Sequence, residues 1–181
     1  MDQGLIPNRY AKALYKFALD KGEASRVYEL MKNVAASFAG QPPLGDVMAN
    51  PYVPSGDKTG LMMTAARASE SDDCYADFLK LLVKNKRIEF MRGIALTYLD
   101  IYRKANNIYL VKITTAVELP DDEMSRLKSL VEKHLGDATV EFTKDVDPDL
   151  IGGFVVTVNS ERLDASVSNE IKQLRLKLLS N

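Results

Sequence analysis

The 181-residue sequence contains one cysteine, Cys74, one histidine, His134, and no tryptophan. A lone cysteine excludes an intramolecular disulfide, and one thiol with one imidazole falls short of the ligand set of a structural zinc site. No apolar run approaches the ~20 residues of a membrane-spanning helix. The first residues show neither the apolar core of a secretory signal nor an Arg/Ser-rich transit segment, so the chain is expected to be soluble as made, with no direct membrane span. Charge of one sign is also lacking: 24 Lys plus Arg stand against 25 Asp plus Glu, a net charge of -1. That balance provides no global attraction to nucleic acid. The apolar share of 46% and charged share of 27% are those of an ordinary folded protein of one or two domains.

What the chain does have is periodicity. Pro7 suits a first helical turn, and Tyr10, Leu14 and Phe17 recur at helical spacing with Ala11, Ala13 and Ala18 between them, predicting a helix over 7–21. Gly22 ends it. Val27, Leu30, Met31, Val34 and Phe38 form the stripe of a second helix that closes at Gly40. Pro42, Pro43, Gly45, Pro51 and Pro54 then leave room for one short helix over 44–49. Helical character returns over 58–67, and a polar break at 69–73 precedes a helix with Tyr75, Phe78, Leu79, Leu82 and Val83. After Asn85-Lys86-Arg87, the stripe Ile88, Met91, Ile94, Ala95, Tyr98, Leu99 and Tyr102 predicts a longer helix that fades at Asn106-Asn107.

From Tyr109 the period changes from 3.6 to 2: Tyr109, Val111, Ile113 and Thr115 alternate with Leu110, Lys112 and Thr114 in a strand over 109–117. An all-helical half followed by a mixed half predicts a mainly α protein of two domains, 1–105 and 106–181. Pro120 with Asp121, Asp122 and Glu123 starts a helix whose buried face is Leu127, Leu130, Val131 and Leu135, and Gly136 stops it. A strand over 138–144 follows. Asp147-Pro148-Asp149 then reads as a tight turn, and Gly152-Gly153 as a bulge or close backbone approach beside a strand over 154–158. Leu163-Asp164-Ala165-Ser166 reads as a return, with Asp164 or Ser166 capping a last helix along Val167, Ile171, Leu174 and Leu178. The second half is therefore expected to be a small α+β domain, β-α-β-β-α.

No catalytic, cofactor-binding or metal-binding residue is assigned. Asp145, Asp147 and Asp149 alternate like the first ligands of a calcium loop, but Leu150 replaces the required glycine and Val156 the closing glutamate. Gly152-Gly153 opens a strand, whereas phosphate cradles need N–H groups at a helix N-terminus. His134 near a helix end reads as a surface or capping residue. Lys80, Lys84, Lys86, Arg87 and Arg92 form a basic cluster that reads as a solvated face. A nucleic-acid-binding helical protein using that cluster is the alternative, and a small enzyme built on the second half lacks any residue to name. Amphipathic helices without a reactive constellation favour a role in binding other proteins.

The order and spacing of several segments resemble the delta subunit family of bacterial F-type ATP synthases, relatives of the mitochondrial oligomycin-sensitivity-conferring protein. They are Arg9-Tyr10-Ala11-Lys12-Ala13-Leu14, Asn50-Pro51 with Lys58, Phe78-Leu79 with Leu82-Val83 and Asn85-Lys86-Arg87, Ala116 and Leu119, Asp147 to Gly153, and Leu163 to Val167. One departure is Asn159-Ser160-Glu161-Arg162, where the family often has a glycine-aspartate turn.

The resemblance implies a non-catalytic stator subunit without cofactor, at the cytoplasmic face of the cell membrane. It would link the alpha/beta catalytic head to the membrane-anchored b subunits of the peripheral stalk. It further implies an N-terminal six-helix bundle that takes an amphipathic helix of the alpha subunit between its first and fifth helices. Tyr10, Ala11, Ala13, Leu14 and Phe17 would line one side of that groove, and Phe78, Leu79, Leu82 and Val83 the other. The large side chains fit a groove and the bundle's own core equally, while Ala11 and Ala13 favour the groove. Lys172, Arg175 and Lys177 on the last helix are the implied surface for the b subunits. Asp147, Pro148, Gly152, Gly153, Asp164 and Ser166 are structural.

Overall fold

Stretches with an apolar residue every three or four positions fold as helices in the first half of the computed structural model: α1 Leu5–Asp20, α2 Ala24–Gly40, α3 Pro43–Ala49, α4 Ser55–Ala66, α5 Asp73–Lys84 and, after a 3-10 turn at Ile88–Phe90, α6 Met91–Ala105. The structure describes residues 4–69, 71–136, 138–159 and 161–179. The side chains of 134 and 177–179 fall outside that set, and with them the reading of His134. The chain divides into two compact units, Met1–Ala105 and Asn106–Asn181.

In the first unit α6 packs against both α1 and α2. Gly93 lets α1 close in, since a Cβ there would stand 3.1 Å from Cγ of Pro7. Pro7 itself sits in the first turn of α1, where its missing N–H has no helical partner to lose. The buried Tyr98 hydroxyl donates to the Ala24 carbonyl at 3.1 Å, satisfying its one polar atom. Leu14, Leu30, Met31, Val34, Leu79, Leu82 and Ile94 fill the space between the helices. α4 starts at Ser55, behind Pro54, three residues earlier than periodicity indicates. Lys58 therefore lies inside the helix, and its buried ammonium donates to the Met48 carbonyl at 2.8 Å, in the last turn of α3.

The second unit holds β1 Ile108–Thr115, α7 Asp121–Leu135, β2 Thr139–Val146, a 3-10 turn at Pro148–Leu150, β3 Gly153–Val158, β4 Glu161–Ser166 and α8 Val167–Leu179. The molecule is thus mainly helical with one small mixed sheet, ordered β2-β1-β3-β4. β1 pairs parallel with β2 and antiparallel with β3, and β3 pairs antiparallel with β4. Met124, Leu127 and Val131 of α7 pack on Val111, Ile113 and Val156.

Two expectations are corrected. The unit is β-α-β-β-β-α, because residues 161–166 form a strand and not a simple return. Asn159, at φ +52°, turns the chain into that strand with the left-handed backbone that two-residue hairpins require, and Leu163 and Ala165 pair with Val156 and Phe154. Leu130, expected in the buried face of α7, is 64% exposed. It lies ~100° round the helix from Val131, beyond the covered stripe.

The segment from Asp147 to Ser166 works as scaffold. Oδ1 of Asp147 accepts from the Asp149 N–H at 3.1 Å and shapes the turn around Pro148. Gly153 has φ +74°, and a Cβ there would stand 2.2 Å from the Ala165 carbonyl oxygen of the paired strand. At Gly152 the nearest atom would be Cγ2 of Val167, at 3.1 Å. Ser166 caps α8 by accepting from the Asn169 N–H at 3.2 Å, while Oδ1 of Asp164 accepts from the Ser166 N–H and hydroxyl at 3.1 and 2.6 Å. The Ser166 hydroxyl holds the Asp164 carboxyl below the usual carboxylate range.

The difference between the two glycines gives an expected outcome. Gly153→Ala forces backbone against backbone at positive φ and should destabilise the chain by about 3 kcal/mol or more. Gly152→Ala meets only a side chain that can shift, and should cost about 1 kcal/mol. Urea unfolding followed by circular dichroism measures both, and equal midpoints would contradict the close approach.

Candidate functional site

A charge pair fixes the start of α5. Asp72, 6% exposed, accepts from Nε and Nη2 of Arg26 in α2 at 2.7 and 2.8 Å. It also accepts from the Ser69 N–H at 2.7 Å and the Ser69 hydroxyl at 3.0 Å. The guanidinium first, then the Ser69 donors, hold this carboxyl well below the ordinary range against the opposing effect of burial. α5 ends as firmly. The Arg87 N–H donates to the Leu82 carbonyl at 2.8 Å and the Lys86 N–H to that of Val83 at 3.0 Å, a Schellman motif with Lys86 at φ +55° where glycine is usual.

Held at both ends, α5 lies antiparallel to α1. Near the N-terminus of α1, the Tyr10 ring meets Phe78 edge-on, centroids 6.5 Å apart, and the Tyr10 hydroxyl accepts from Nδ2 of Asn85 at 3.1 Å. At the other end of α1, the Lys21 charge acts on Cys74 and Asp77. Burial pushes the Cys74 thiol up to about 11, so it is a protonated core group and not a nucleophile.

The outer edge of this seam is apolar. Ile6, Tyr10, Ala13 and Phe17 recur along one face of α1, half-buried or exposed, with Phe17 38% exposed and Nζ of Lys21 4.7 Å above its ring. Opposite, Leu81 is 44% exposed. It lies between Phe78 and Asn85 on the α5 face that meets Tyr10.

The structure thus divides the nine groove residues expected from the sequence. Tyr10, Ala13 and Phe17 are on the seam, and Phe78 is its nearly closed floor. Ala11, Leu14, Leu79 and Leu82 are buried in the unit's own core and have no surface for a partner. Ala11 is small to admit a neighbour inside the bundle. Val83 lies ~140° round α5 from Phe78, at the far edge of the buried stripe. Ile6 and Leu81 share these exposed apolar faces and are not among the nine, although each stands three or four positions from one of them.

In the second unit, Lys172 and Arg175 of α8 are exposed, while the side chain of Lys177 lies outside the described residues. The apolar stripe of the same helix is uncovered within its unit, with Ile171 and Leu174 at 52% and 59% exposed. A cavity of about 470 Å³ opens between α7 and the glycine-marked bend, lined mainly by Ala116, Leu119, Leu127, Ile151 and Phe154. Thr115, Glu123 and Arg126 are the polar side chains of its lining. Two of the three carboxylates that mimic a calcium loop are engaged elsewhere: Oδ2 of Asp145 pairs with Nζ of Lys112 at 2.7 Å, and Asp147 holds its own turn. In the basic cluster, Lys80 pairs with Asp77 at 3.0 Å, and the Arg87 guanidinium stands 5.9 Å from the Phe90 ring.

Residues 6–178 match the sequence profile of the family described as ATP synthase delta (OSCP) subunit. ATP synthase subunit delta of Parabacteroides distasonis is 40% identical over 181 residues, covering 100% of this chain and 99% of the relative. That of Phocaeicola vulgatus is 37% identical over 178 residues, covering 98% and 95%. In a cryo-EM structure of the Toxoplasma gondii mitochondrial ATP synthase hexamer, one chain shares the fold with a TM-score of 0.71 at 20% identity, covering 97% of this chain and 98% of that one. None of these similarities supports nucleic-acid binding.

The Arg26–Asp72 pair sets an acid dependence. Because the folded carboxyl is depressed, its stabilisation is fully present above the unfolded value, about 3.9, and is lost as pH falls through the folded value. Asp72→Asn should lower stability at neutral pH by about 2 kcal/mol, discounted for the half-exposed Arg26. The gap to the parent chain should narrow below about pH 4, read as urea midpoints along a pH series. A gap that is constant down to pH ~2 would refute the role of the charge.

Proposed function

The chain belongs to the ATP synthase delta (OSCP) family, and we infer from that membership which of its surfaces carries which partner. It is a non-catalytic subunit of the peripheral stalk of an F-type ATP synthase. The stalk holds the catalytic head still, so that rotor torque does conformational work at the nucleotide sites instead of turning the whole head.

In this reading the unit 1–105, a six-helix bundle, binds the alpha subunit, and the unit 106–181 meets the b subunits. The subunit sits peripherally at the cytoplasmic face of the cell membrane; no described helix is long and apolar enough to cross one. The observation that carries the reading is the seam. Ile6, Tyr10, Ala13 and Phe17 leave an apolar stripe half-buried or exposed along α1, Tyr10 meets Phe78 of α5 edge-on, and the small side chain of Ala13 leaves room for an incoming one. From Tyr10 to Lys21 the seam is about 16 Å long, three turns of helix. An amphipathic helix of the alpha subunit fits that length with its apolar stripe down.

For the b subunits the supporting feature is the bare stripe of α8, Ile171 and Leu174, flanked by Lys172 and Arg175. A helix whose apolar side is uncovered within its own unit is built to be covered by another chain.

Calorimetry of the full chain with a synthetic N-terminal segment of the alpha subunit tests the first contact. Ala13→Arg should weaken binding by about tenfold or more, because it buries a charge in an apolar seam. Helical circular dichroism should be unchanged, since Ala13 is exposed in the free chain. Unaltered affinity would remove the seam from consideration. For the second contact, Ile171→Asp combined with Leu174→Asp should abolish capture of the soluble part of the b subunit and leave the alpha segment's affinity intact. Retained capture would dismiss α8.

A further inference from the structure

The basic residues around the end of α5 are not consumed by the fold. Arg9, Lys84 and Lys86 are exposed, and among the described residues none of them enters an ion pair. Because α1 and α5 are antiparallel, the start of one and the end of the other come together, so these three charges gather where Tyr10 bonds to Asn85. Asp20, Asp73 and Asp77 gather in the same way at the opposite end, where Lys21 and Lys80 partly offset them. The rim of the seam therefore runs from positive to mixed and acidic. Its length of about 16 Å exceeds the ~8 Å screening length of physiological salt, so each end of a bound helix senses chiefly the charges at its own end.

We propose that this gradient fixes the direction of the docked helix: its acidic end lies against Arg9, Lys84 and Lys86, and its other end against Asp20, Asp73 and Asp77. The occupant is an amphipathic helix of about three turns whose Asp and Glu residues are concentrated towards one end. The apolar stripe of Ile6, Tyr10, Ala13 and Phe17 supplies affinity through burial of apolar surface, which is non-directional and does not by itself distinguish a helix from the same helix reversed. Charge does. The Schellman motif that places Lys86 at positive φ fixes the backbone from which its charge extends. The inference rests on the seam being the docking site of the alpha segment.

The test uses the full chain, isotopically labelled for amide spectra, with the synthetic N-terminal segment of the alpha subunit carrying a nitroxide at each end in turn. A label at the end richer in Asp and Glu should broaden the amides of 8–10 and 84–87, and a label at the other end those of 19–23 and 72–77. The reverse pattern, equal broadening from both ends, or a segment without an acidic end overturns the assigned direction while leaving the seam as the binding site. Broadening nowhere along α1 and α5 overturns the seam as well. As an independent check, Arg9→Glu, Lys84→Glu and Lys86→Glu together should weaken binding about tenfold at low salt and much less at ~1 M salt, with the dichroism spectrum unchanged. Affinity equal to that of the parent chain at low salt would also overturn the proposal.

Discussion

The carboxylate of Asp72 takes four hydrogen bonds, two from the Arg26 guanidinium and two from Ser69, and the Arg26 pair anchors α5 to α2 at the residue just before its first turn. Everything described on the outer face of the helical unit follows from where α5 is held. The Tyr75 hydroxyl, one turn on, donates to the Met62 carbonyl at 3.0 Å, tying the same turn to α4. With its start pinned to α2 and α4, the helix meets Tyr10 of α1 through Phe78 and Asn85, and Leu81 stands between those two on the same face. A neutral or displaced residue at 72 would free α5 to rotate, and a rotation of one residue step would carry Leu81 off the seam.

Each unit is stabilised internally by its own means. The helical unit relies on buried apolar surface between helices and on a few buried polar groups that find carbonyl partners at helix ends, Lys58 on Met48 and Tyr98 on Ala24. The second unit has a smaller core, and its geometry is set by backbone. Gly153 admits the Ala165 carbonyl, Asn159 turns the hairpin, and the Asp164 and Ser166 side chains start α8. Its geometry thus depends more on single positions.

Much of this was legible in the sequence because it is local. The change of apolar period near Tyr109, the turn at Pro148, the close approach at the glycine pair and the cap at Ser166 each depend on a few neighbouring residues. The strand at 161–166 was harder to read, since it exists only by pairing with β3 and its own residues, Glu161, Arg162 and Asp164, are not strand formers. The seam was legible as a stripe but not as a surface. Tyr10, Ala11, Leu14 and Phe17 all follow helical spacing, yet ~100° of rotation per residue separates a position covered by neighbours from one at the open edge. Which edge is covered depends on where α2, α5 and α6 pack. For the same reason Ala11 and Ala13, alike in the sequence, lie on opposite sides of that division, and Leu81, which interrupts a tidy stripe, is at the centre of the exposed edge.

The antiparallel arrangement of α1 and α5 has a mechanical consequence for a part of a stator. A helix laid lengthwise between two others meets a pull along its axis in shear, and every side chain along the three turns shares the load at once. A contact pulled at right angles to its surface yields instead by peeling, one turn after another, each at a small force. Under the docking proposed above, the seam's length, more than the strength of any one contact in it, governs how much torque such a joint bears before it slips.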